Sequence, residues 1–327
     1  MAPPKRPQFQ PMRTFLLYLS EHKQLAPLMM RNGVSRRVSR RFVAGETLDD
    51  AVAAARAVNK LGQAASLDLL GENVSDEAGA RRAAEGYIAI FNRIASEKLN
   101  ANVSMKLTQL GLDLGEELCQ ELVEKIVAHA TALGNFVRVD MEGSAYTERT
   151  LGIVRRVRGK YPGVGTVVQA YLYRTEQDVQ QLLASGCGMR LCKGAYKEPA
   201  EVAFPKKRDV DANYVKLMKM ILPSGIYHGI ATHDPAMIQA TRDFVREQKI
   251  GREQFEFQML YGIRPDLQKQ LTRDGYRMRI YIPYGTDWFP YFMRRLAERP
   301  ANLAFFLRSL VPRNSRDGAV EKAPPRT

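Results

Sequence analysis

The segment Gly188-Met189-Arg190-Leu191-Cys192-Lys193-Gly194-Ala195-Tyr196 has the composition of a short apolar strand that runs directly into a polar turn. Two cations, Arg190 and Lys193, flank the end of this strand, and Gly194 allows close approach of a large planar or phosphorylated group. The segment therefore indicates a strand end of the kind found in a cofactor cradle. A single basic turn has low specificity, so the rest of the chain decides what it means.

Short apolar or alternating runs recur from residue 64 onward, and each is followed by a longer stretch with helical periodicity. That order is typical of parallel strands joined by crossover helices. Eight strands are predicted, at Ala64–Leu70, Asn102–Leu107, Phe136–Met141, Thr166–Ala170, Gly188–Cys192, Gly229–Thr232, Phe255–Met259 and Arg279–Ile282. Eight such units predict an α/β fold of the TIM type, a (β/α)8 barrel, rather than an open doubly wound sheet. No GxGxxG motif follows the first strand, which argues against a Rossmann domain.

The segments outside the barrel are predicted from their composition. Residues 1–11 contain four prolines and are predicted to be a flexible leader, and residues 12–63 are predicted to be an N-terminal helical segment that includes a helix at Leu48–Lys60. The barrel is assigned to residues 64–311, with its eighth helix over the top of the barrel, and residues 312–327 to a disordered tail.

The chain carries 49 Lys and Arg against 35 Asp and Glu, which gives a formal net charge of +14. Such an excess favours an anionic partner, for example an acidic membrane surface, a nucleic acid or a small acid. Before residue 42 the one acidic residue is Glu21, so the N-terminal region is a basic appendage, but it contains no recognised nucleic-acid motif.

Cys119, Cys187 and Cys192 form no CxxC pair and have no His partners at metal-ligand spacing. The sequence therefore predicts neither a disulfide framework nor a metal site, and it favours a reducing, cytoplasmic compartment. No apolar run reaches the roughly 18 residues that a membrane-spanning helix needs. The prediction is a protein that is soluble or that contacts a membrane only at its surface.

In a (β/α)8 barrel, the residues that carry chemistry lie at or just beyond the carboxyl ends of the strands. Segments rich in polar residues lie at the predicted ends of strands 2 to 8. In chain order they are Lys106; Asp140, Met141 and Glu142; Gln169; Arg190 through Tyr196; Thr232, His233 and Asp234; Glu256 and Gln258; and Tyr281. The sequence thus predicts that these residues share one rim of the barrel.

Lys106 is a charge inside an apolar strand, and a buried ammonium is costly unless it meets an anion. Three interpretations stay open: a substrate-binding cation, a Schiff-base amine, and half of a structural ion pair, for instance with Asp140. Asp140 itself can orient a cation, act as a base or cap the next helix. Thr232-His233-Asp234 can likewise cradle a phosphate or cap a helix.

The stretch Tyr284–Pro300 is predicted to be a loop followed by a short helix. One face of this helix is polar and carries, at i, i+3, i+4 and i+7, the residues Tyr291, Arg294, Arg295 and Glu298. Two adjacent guanidiniums beside a phenol can form a fork for a carboxylate, with Glu298 orienting Arg294. The alternative is a solvated face stabilised by the Arg294–Glu298 pair.

Taken together, these segments resemble the proline dehydrogenase family, flavin-dependent barrels that oxidise L-proline to Δ1-pyrroline-5-carboxylate. The resemblance extends from Ala65 to Leu307 and is strongest in four motifs: Arg190-Leu191-Cys192-Lys193-Gly194-Ala195-Tyr196, Phe255-Glu256-Phe257-Gln258-Met259-Leu260-Tyr261-Gly262, Arg279-Ile280-Tyr281-Ile282-Pro283-Tyr284-Gly285 and Tyr291-Phe292-Met293-Arg294-Arg295-Leu296-Ala297-Glu298. It implies a monofunctional, bacterial-type enzyme with FAD as cofactor and L-proline as substrate. A quinone is the implied electron acceptor, and the basic N-terminal helices are a candidate peripheral contact with a membrane.

The resemblance also implies roles for single residues. Those implied to bind the proline carboxylate are Lys106, Arg294 and Arg295, and those implied to enclose the pyrrolidine ring are Leu191, Tyr281 and Tyr291. Asp140 would balance the cationic pocket, and Arg190 would stabilise negative charge on the flavin. The positions implied to hold the flavin are Met141, Gln169, Lys193, Gly194, Ala195, Thr232 and His233, with Glu256 on the adenosine side. A phenol at Tyr281 implies a preference for proline over hydroxyproline.

Two other functions are compatible with the residues alone. A flavin-free barrel lyase would use Lys106 or Lys193 as a Schiff-base amine. A basic nucleic-acid-binding protein would use the positive charge, but the clustering of cations at strand ends argues against a nucleic-acid partner.

Overall fold

The computed structural model describes residues 39–71 and 74–298. Residues Arg40–Trp288 form one compact unit, and of a second unit the structure describes Ser39 and residues 289–298. The predicted leader, the predicted helical segment up to residue 38 and the predicted tail lie outside the described residues. The unit Arg40–Trp288 contains the barrel.

Eight parallel strands close into a barrel in chain order. They are β1 Ala64–Leu69, β2 Ala101–Met105, β3 Val137–Val139, β4 Val164–Gln169, β5 Met189–Cys192, β6 His228–Ala231, β7 Phe255–Leu260 and β8 Met278–Tyr284. The barrel is closed by β1 and β8, whose register runs from Ala64 opposite Arg279 to Leu69 opposite Tyr284. The predicted fold class and all eight predicted strands are confirmed, with ends that differ by no more than about two residues.

A helix follows each strand, and one more precedes the barrel. They are α1 Leu48–Asn59, α2 Glu77–Ser96, α3 Glu116–Ala132, α4 Thr147–Arg158, α5 Thr175–Ala184, α6 Lys207–Ile221, α7 Pro235–Glu247, α8 Pro265–Arg273 and α9 Trp288–Glu298. The predicted helix at Leu48–Lys60 is confirmed: a capping box between Thr47 and Asp50 starts it, because each side chain accepts a hydrogen bond from the other residue's backbone N–H. Within the described part of the chain, none of the helices has the length and apolarity needed to cross a membrane.

The two faces of the barrel strands differ in polarity. The outer faces are apolar and fully buried, as at Leu67, Val103 and Val139. Because side chains alternate along a strand, the residues between them point into the barrel. Barrel interiors are commonly filled by Val, Ile and Leu. This interior is polar instead, with partly buried Arg279 and with buried Ser66, Asp68, Asn102, Ser104, Lys106, Arg138, Asp140, Gln169, Arg190, Glu256 and Gln258. Buried polar groups need partners, so the interior forms a hydrogen-bonded network.

His228, at the start of β6, is a buried structural histidine. Its Nδ1 accepts a hydrogen bond from the backbone N–H of Met189 at 3.1 Å, and its Nε2 lies 3.0 Å from Ser224 Oγ. Burial, followed by the positive charge of Arg138, lowers the pKa of His228 from 6.5 to about 4. The ring therefore stays neutral in the folded protein at pH values where the unfolded chain already takes up a proton.

This difference makes the fold sensitive to acid. The unfolded state binds more protons between pH 6.5 and 4, so the free energy of unfolding falls as the pH decreases through that window, by roughly 3 kcal/mol for this group. We expect His228→Gln to flatten this pH dependence in urea titrations. His129→Gln, in α3, is the control. An equal slope in the two variants would contradict the assignment.

Candidate active site

An ion pair connects the first two strands inside the barrel. Lys106, immediately after β2, places its Nζ 2.9 Å from Oδ1 of Asp68 in β1, and both side chains are buried. Burial raises the pKa of Asp68, and the charge of Lys106 offsets this only in part. An ammonium and a carboxylate that are both removed from water stabilise each other only while both are present.

The predicted ion pair of Lys106 thus exists with a different partner. Asp140 was the suggested partner, but Asp68 lies against Lys106, because strands β1 and β2 are neighbours in the barrel. Asp68 was not predicted as a site residue. The signal that could have found it is the one that singled out Lys106, a charge within an apolar run, since Asp68 lies between Leu67 and Leu69.

Asp140, directly after β3, connects two other predicted site residues. Its Oδ1 accepts a hydrogen bond from Arg190 Nη1 at 2.6 Å, and its Oδ2 accepts one from the Tyr281 hydroxyl at 2.7 Å. The Arg190 guanidinium also donates to Ser104 Oγ at 3.0 Å and lies 5.2 Å from the centre of the Tyr281 ring. The structure therefore brings Asp140, Arg190 and Tyr281 together, as predicted.

Tyr281 is held as a neutral phenol in this cluster. Burial, followed by the negative charges of Asp140 and Asp68, raises the pKa of Tyr281 well above its ordinary value. A phenol that keeps its proton can donate to Asp140 over the whole pH range in which proteins fold. The arrangement combines one fixed donor with the fixed positive charge of Arg190.

The network continues from Arg190 towards the amino ends of the strands. Gln258 Oε1 accepts from Arg190 Nε at 2.5 Å, and Gln258 Nε2 donates to Glu256 Oε1 at 2.6 Å. The same oxygen of Glu256 accepts from Arg279 Nε at 2.6 Å. Burial acts to raise the pKa of Glu256, but the charge of Arg279 and the hydrogen bonds to the carboxylate lower it overall.

Two predicted positions are wrong. Glu256 is the second residue of β7, four residues before its end, so it lies roughly 13 Å from the carboxyl rim to which the sequence analysis assigned it. Leu191 was expected to enclose the substrate ring, but it follows Arg190 in β5 and therefore points to the opposite face. There Leu191 is fully buried in the apolar core. Alternation predicts a residue's face, whereas its depth in the barrel depends on where the strand begins.

Gln169 is the last residue of β4, and Met141 follows the end of β3 by two residues. Both are buried, and within the described residues Oε1 of Gln169 accepts no hydrogen bond. A buried carbonyl oxygen without a donor costs about 1–3 kcal/mol, which a ligand N–H would recover. The isoalloxazine ring of a flavin carries such an N–H, so Gln169 fits the cofactor that the resemblance implies.

The turn after β5 has a backbone that only glycine can adopt. Gly194 has φ of 112°, and a Cβ at this position would lie 2.4 Å from an atom of the Tyr171 ring. Ala195 is exposed beside it. Lys193, by contrast, is held by carboxylates: its Nζ lies 2.5 Å from Asp211 Oδ1 and 2.7 Å from Asp234 Oδ2. The turn thus presents backbone rather than a free amine.

We expect Gly194→Ala to lower the free energy of unfolding by roughly 2–4 kcal/mol, because it adds a steric clash to backbone strain. Gly225→Ala is the matched control. Gly225 also has positive φ, 73°, but nothing lies within 4 Å of a Cβ there, so strain alone should cost about 1 kcal/mol. Urea unfolding of the two variants measures the difference, and equal losses would refute the proposed clash with Tyr171.

The segment Thr232-His233-Asp234 caps α7, so the capping interpretation is confirmed. Asp234 Oδ1 accepts from the N–H of Ala236, and Thr232 Oγ1 accepts from the N–H of Asp234, both at 3.0 Å. Nε2 of His233 accepts from the N–H of Leu260 at 2.9 Å, which ties the ends of β6 and β7 together. Among residues 39–71 and 74–298, no group of three or more His, Cys, Asp or Glu is placed to hold a metal ion.

Helix α9 carries the remaining predicted residues. The Arg295 guanidinium lies 5.0 Å from the centre of the Tyr291 ring, one helical turn earlier, so these two residues share a face as predicted. The side chains of Arg294 and Glu298 lie outside the described residues. The carboxylate fork on this helix therefore stays a prediction.

Comparison with known proteins identifies the family. The model of the proline dehydrogenase family matches residues 51–308. Proline dehydrogenase 1 of Bacillus subtilis (strain 168) is 46% identical over 300 residues, which cover 92% of this chain and 99% of that protein. Proline dehydrogenase of Deinococcus radiodurans is 42% identical over 294 residues, which cover 88% of this chain and 93% of that protein.

A solved structure agrees on the fold. Proline utilization A (PutA) from Bdellovibrio bacteriovorus, inactivated by N-propargylglycine, superposes with a TM-score of 0.78 at 23% identity. The match covers 88% of this chain and 36% of that longer chain. With a family model that matches most of its length and relatives above 40% identity, this chain belongs to the proline dehydrogenase family, oxidoreductases that act on the CH–NH group of proline in proline catabolism.

Proposed function

We propose that this chain oxidises L-proline to Δ1-pyrroline-5-carboxylate with FAD as the hydride acceptor, and that the electrons pass on to a quinone. The observation that supports this most strongly is the buried polar cluster at the carboxyl ends of the strands. It pairs Lys106 with Asp68 and joins Arg190 and Tyr281 through Asp140. In a chain of this family, such a cluster can bind a small zwitterion and fix its orientation.

In this proposal the site recognises proline mainly through its carboxylate. Lys106 supplies an ammonium whose direction is set by Asp68. The resemblance adds Arg294 and Arg295 of α9 as a fork for the same carboxylate, with Tyr291 beside the ring. Binding through several cations holds the ring carbon next to the nitrogen in one place, which lowers the entropic cost of reaching the transition state.

Asp140 positions the groups around the ring. Its two oxygens hold Arg190 and the hydroxyl of Tyr281, so neither side chain has to reorganise during the reaction. The resemblance implies that the phenol of Tyr281 lies beside the ring carbon that bears the hydroxyl in hydroxyproline, which favours proline. Oxidation removes a hydride from the ring carbon and a proton from the nitrogen, and the fixed charge of Arg190 stabilises negative charge that develops near it.

FAD, when bound, supplies the acceptor for the hydride. The residues proposed to hold it are Met141, Gln169, Lys193, Gly194, Ala195, Thr232 and His233. The carbonyl oxygen of Gln169, which has no donor among the described residues, and the positive φ of Gly194 support this set. Glu256 is not part of it, because it lies near the amino ends of the strands. Surface contact of the basic N-terminal segment with a membrane stays part of the proposal and rests on its charge.

The Schiff-base alternative finds no support in the geometry. Lys106 Nζ is engaged by Asp68, and Lys193 Nζ lies between Asp211 and Asp234. A Schiff-base lysine has to present a free amine to a carbonyl carbon. Lys106 and Lys193 instead form ion pairs with carboxylates.

The purified protein tests the proposal directly. We expect a flavin absorption spectrum that bleaches on addition of L-proline, and proline-dependent reduction of a quinone analogue. Borohydride treatment with a keto acid should leave no covalent adduct. Protein without flavin absorption, or flavin that proline does not reduce, would reject the assigned chemistry.

The carboxylate fork is testable by substitution. We expect Arg294→Met and Arg295→Met each to raise the apparent KM for proline by roughly 10- to 100-fold while flavin stays bound, because a hydrogen bond to a charged group contributes about 1.5–3 kcal/mol. The control is Arg246→Met, since Arg246 is an exposed arginine of α7. If all three variants keep the parent KM, the face of α9 is a solvated surface.

A further inference from the structure

The guanidinium of Arg190 is held at each of its three nitrogens by a different part of the barrel. Nη1 donates to Asp140 after β3, and Nη2 donates to Ser104 in β2. Nε donates to Oε1 of Gln258 in β7 at 2.5 Å. Because a guanidinium is planar and its donors have fixed directions, three acceptors on three sides define the plane of the group. Gln258 is the acceptor on the side away from Asp140.

The amide of Gln258 is held in one orientation by its two partners. A glutamine amide has an oxygen that accepts and an NH2 group of nearly equal shape that donates. Arg190 Nε can only donate, so it requires the oxygen. Nε2 of Gln258 donates to Oε1 of Glu256 at 2.6 Å, and a carboxylate can only accept. A flipped amide would therefore face a donor with a donor and an acceptor with an acceptor.

Glu256 keeps the charge that this arrangement needs. It is 4% exposed, and the same oxygen that binds Gln258 accepts from Arg279 Nε at 2.6 Å. Its other oxygen accepts from the Tyr227 hydroxyl at 3.2 Å. Burial acts to raise the pKa of Glu256, but the charge of Arg279 and the hydrogen bonds lower it below its ordinary value. Glu256 is thus an acceptor at neutral pH.

Gly229 in β6 makes room for the contact. Strand β6 lies between β5 and β7, and Gly229 is paired in register with Arg190 on one side and Glu256 on the other. A Cβ at Gly229 would lie 2.3 Å from Nε2 and 2.7 Å from Cδ of Gln258. A glycine inside a strand often marks such a close approach. The missing side chain leaves the space in which the Gln258 amide reaches across β6.

We propose that Glu256 and Gln258 are positioning residues for Arg190: Glu256 orients the amide of Gln258, and the amide holds the guanidinium at Nε. The role of Glu256 therefore requires no contact with substrate or cofactor. The consequence for the flavin rests on the proposed function, in which the fixed charge of Arg190 stabilises negative charge that develops near it. A guanidinium released at Nε would stabilise that charge less.

Solvent exchange of the Arg190 Nε–H measures the positioning without any reaction of the flavin. It is followed by 1H–15N NMR of protein labelled at arginine, with the signal assigned by Arg190→Lys. Gln258→Leu removes the acceptor and should raise the exchange rate by roughly 10-fold, the effect of one hydrogen bond. Gly229→Ala should raise it as well, because the added methyl group displaces the flexible amide and leaves every charge in place.

The control is Gln109→Leu. Gln109 is also a buried glutamine, but it accepts from the Tyr87 hydroxyl, so its loss should leave the exchange rate of Arg190 unchanged. Exchange in Gln258→Leu that equals that of the parent protein would overturn the proposal.

A paired variant tests the part assigned to Glu256. Glu256→Leu/Arg279→Leu removes both charges of the ion pair, so neither is left buried without its partner. We expect faster exchange of the Arg190 Nε–H, because the NH2 group of Gln258 has lost its acceptor. If Glu256 served only to balance Arg279, the exchange rate would match that of the parent protein, and the role of Glu256 would be refuted.

The reduction potential of the flavin-loaded protein measures the consequence for the cofactor. We expect Gln258→Leu to lower the equilibrium constant for two-electron reduction by about 10-fold, which corresponds to a midpoint potential about 30 mV lower. An unchanged potential together with faster exchange at Arg190 would overturn the effect on the flavin. Protein that binds no flavin, or flavin that proline does not reduce, would reject the proposed function, whereas the exchange measurement would still decide the positioning of Arg190.

Discussion

Replacement of Lys106 by Met is expected to raise the apparent KM for proline by roughly 10- to 100-fold and to destabilise the fold by about 3–5 kcal/mol. The first effect follows from the loss of the ammonium proposed to bind the substrate carboxylate. The second follows because the variant leaves the carboxylate of Asp68 buried without its partner at 2.9 Å. Steady-state kinetics and urea unfolding measure the two effects separately.

A double variant separates binding from stability. In Lys106→Met/Asp68→Asn neither charge of this ion pair remains, so most of the lost stability should return while the KM for proline stays high. Asp68→Asn alone keeps the ammonium of Lys106 but removes the carboxylate that orients it. We therefore expect a smaller rise in the KM for proline. Recovery of proline affinity in the double variant would show that Lys106 acts only as a structural ion pair.

The destabilisation in Lys106→Met should also depend on pH. Burial raises the pKa of Asp68 above 3.8, and removal of Lys106 removes the charge that opposes this. A group whose folded pKa is raised binds more protons in the folded state, so its contribution to stability is lost as the pH rises. The variant should therefore lose more stability at pH 8 than at pH 5 relative to the parent protein. A pH-independent loss would contradict the assignment to Asp68.

Replacement of Asp140 by Asn is expected to lower kcat/KM for proline by roughly 100-fold, with flavin still bound. Asn keeps the shape but removes the charge that holds Arg190, and it offers one acceptor where the carboxylate offers two, at 2.6 Å and 2.7 Å. Tyr281→Phe removes only the hydroxyl and should lower kcat/KM by about 10-fold.

A double-mutant cycle tests whether Asp140 acts through Tyr281. If the hydroxyl is oriented by Asp140, Tyr281→Phe should have little further effect in the Asp140→Asn background. Ser104→Ala is a control for the interior, because Ser104 contacts Arg190 but neither Asp140 oxygen accepts a hydrogen bond from it. Fully additive losses would show that Asp140 and Tyr281 contribute independently.

Local features of the chain were predictable because their causes are local. Each strand is a short apolar run next to a helical stretch, and this order was sufficient for the barrel and for strand ends within about two residues. The cap of α1 follows from Thr47 and Asp50, three residues apart. Asp234 likewise caps the helix that begins at the next residue, Pro235.

The sequence by itself thus determined the barrel, its order of elements and the polar residues that the strands carry. Only the tertiary structure decided which of them meet, because hydrogen-bonded partners are distant along the chain: 38 residues for Lys106 and Asp68, and 141 for Tyr281 and Asp140. It also decided depth. The side chain of Glu256 points into the barrel like those of the site residues, because side chains alternate along a strand. Its height along the barrel axis depends instead on where β7 begins and on the register of the closed barrel, which places Glu256 near the amino ends of the strands.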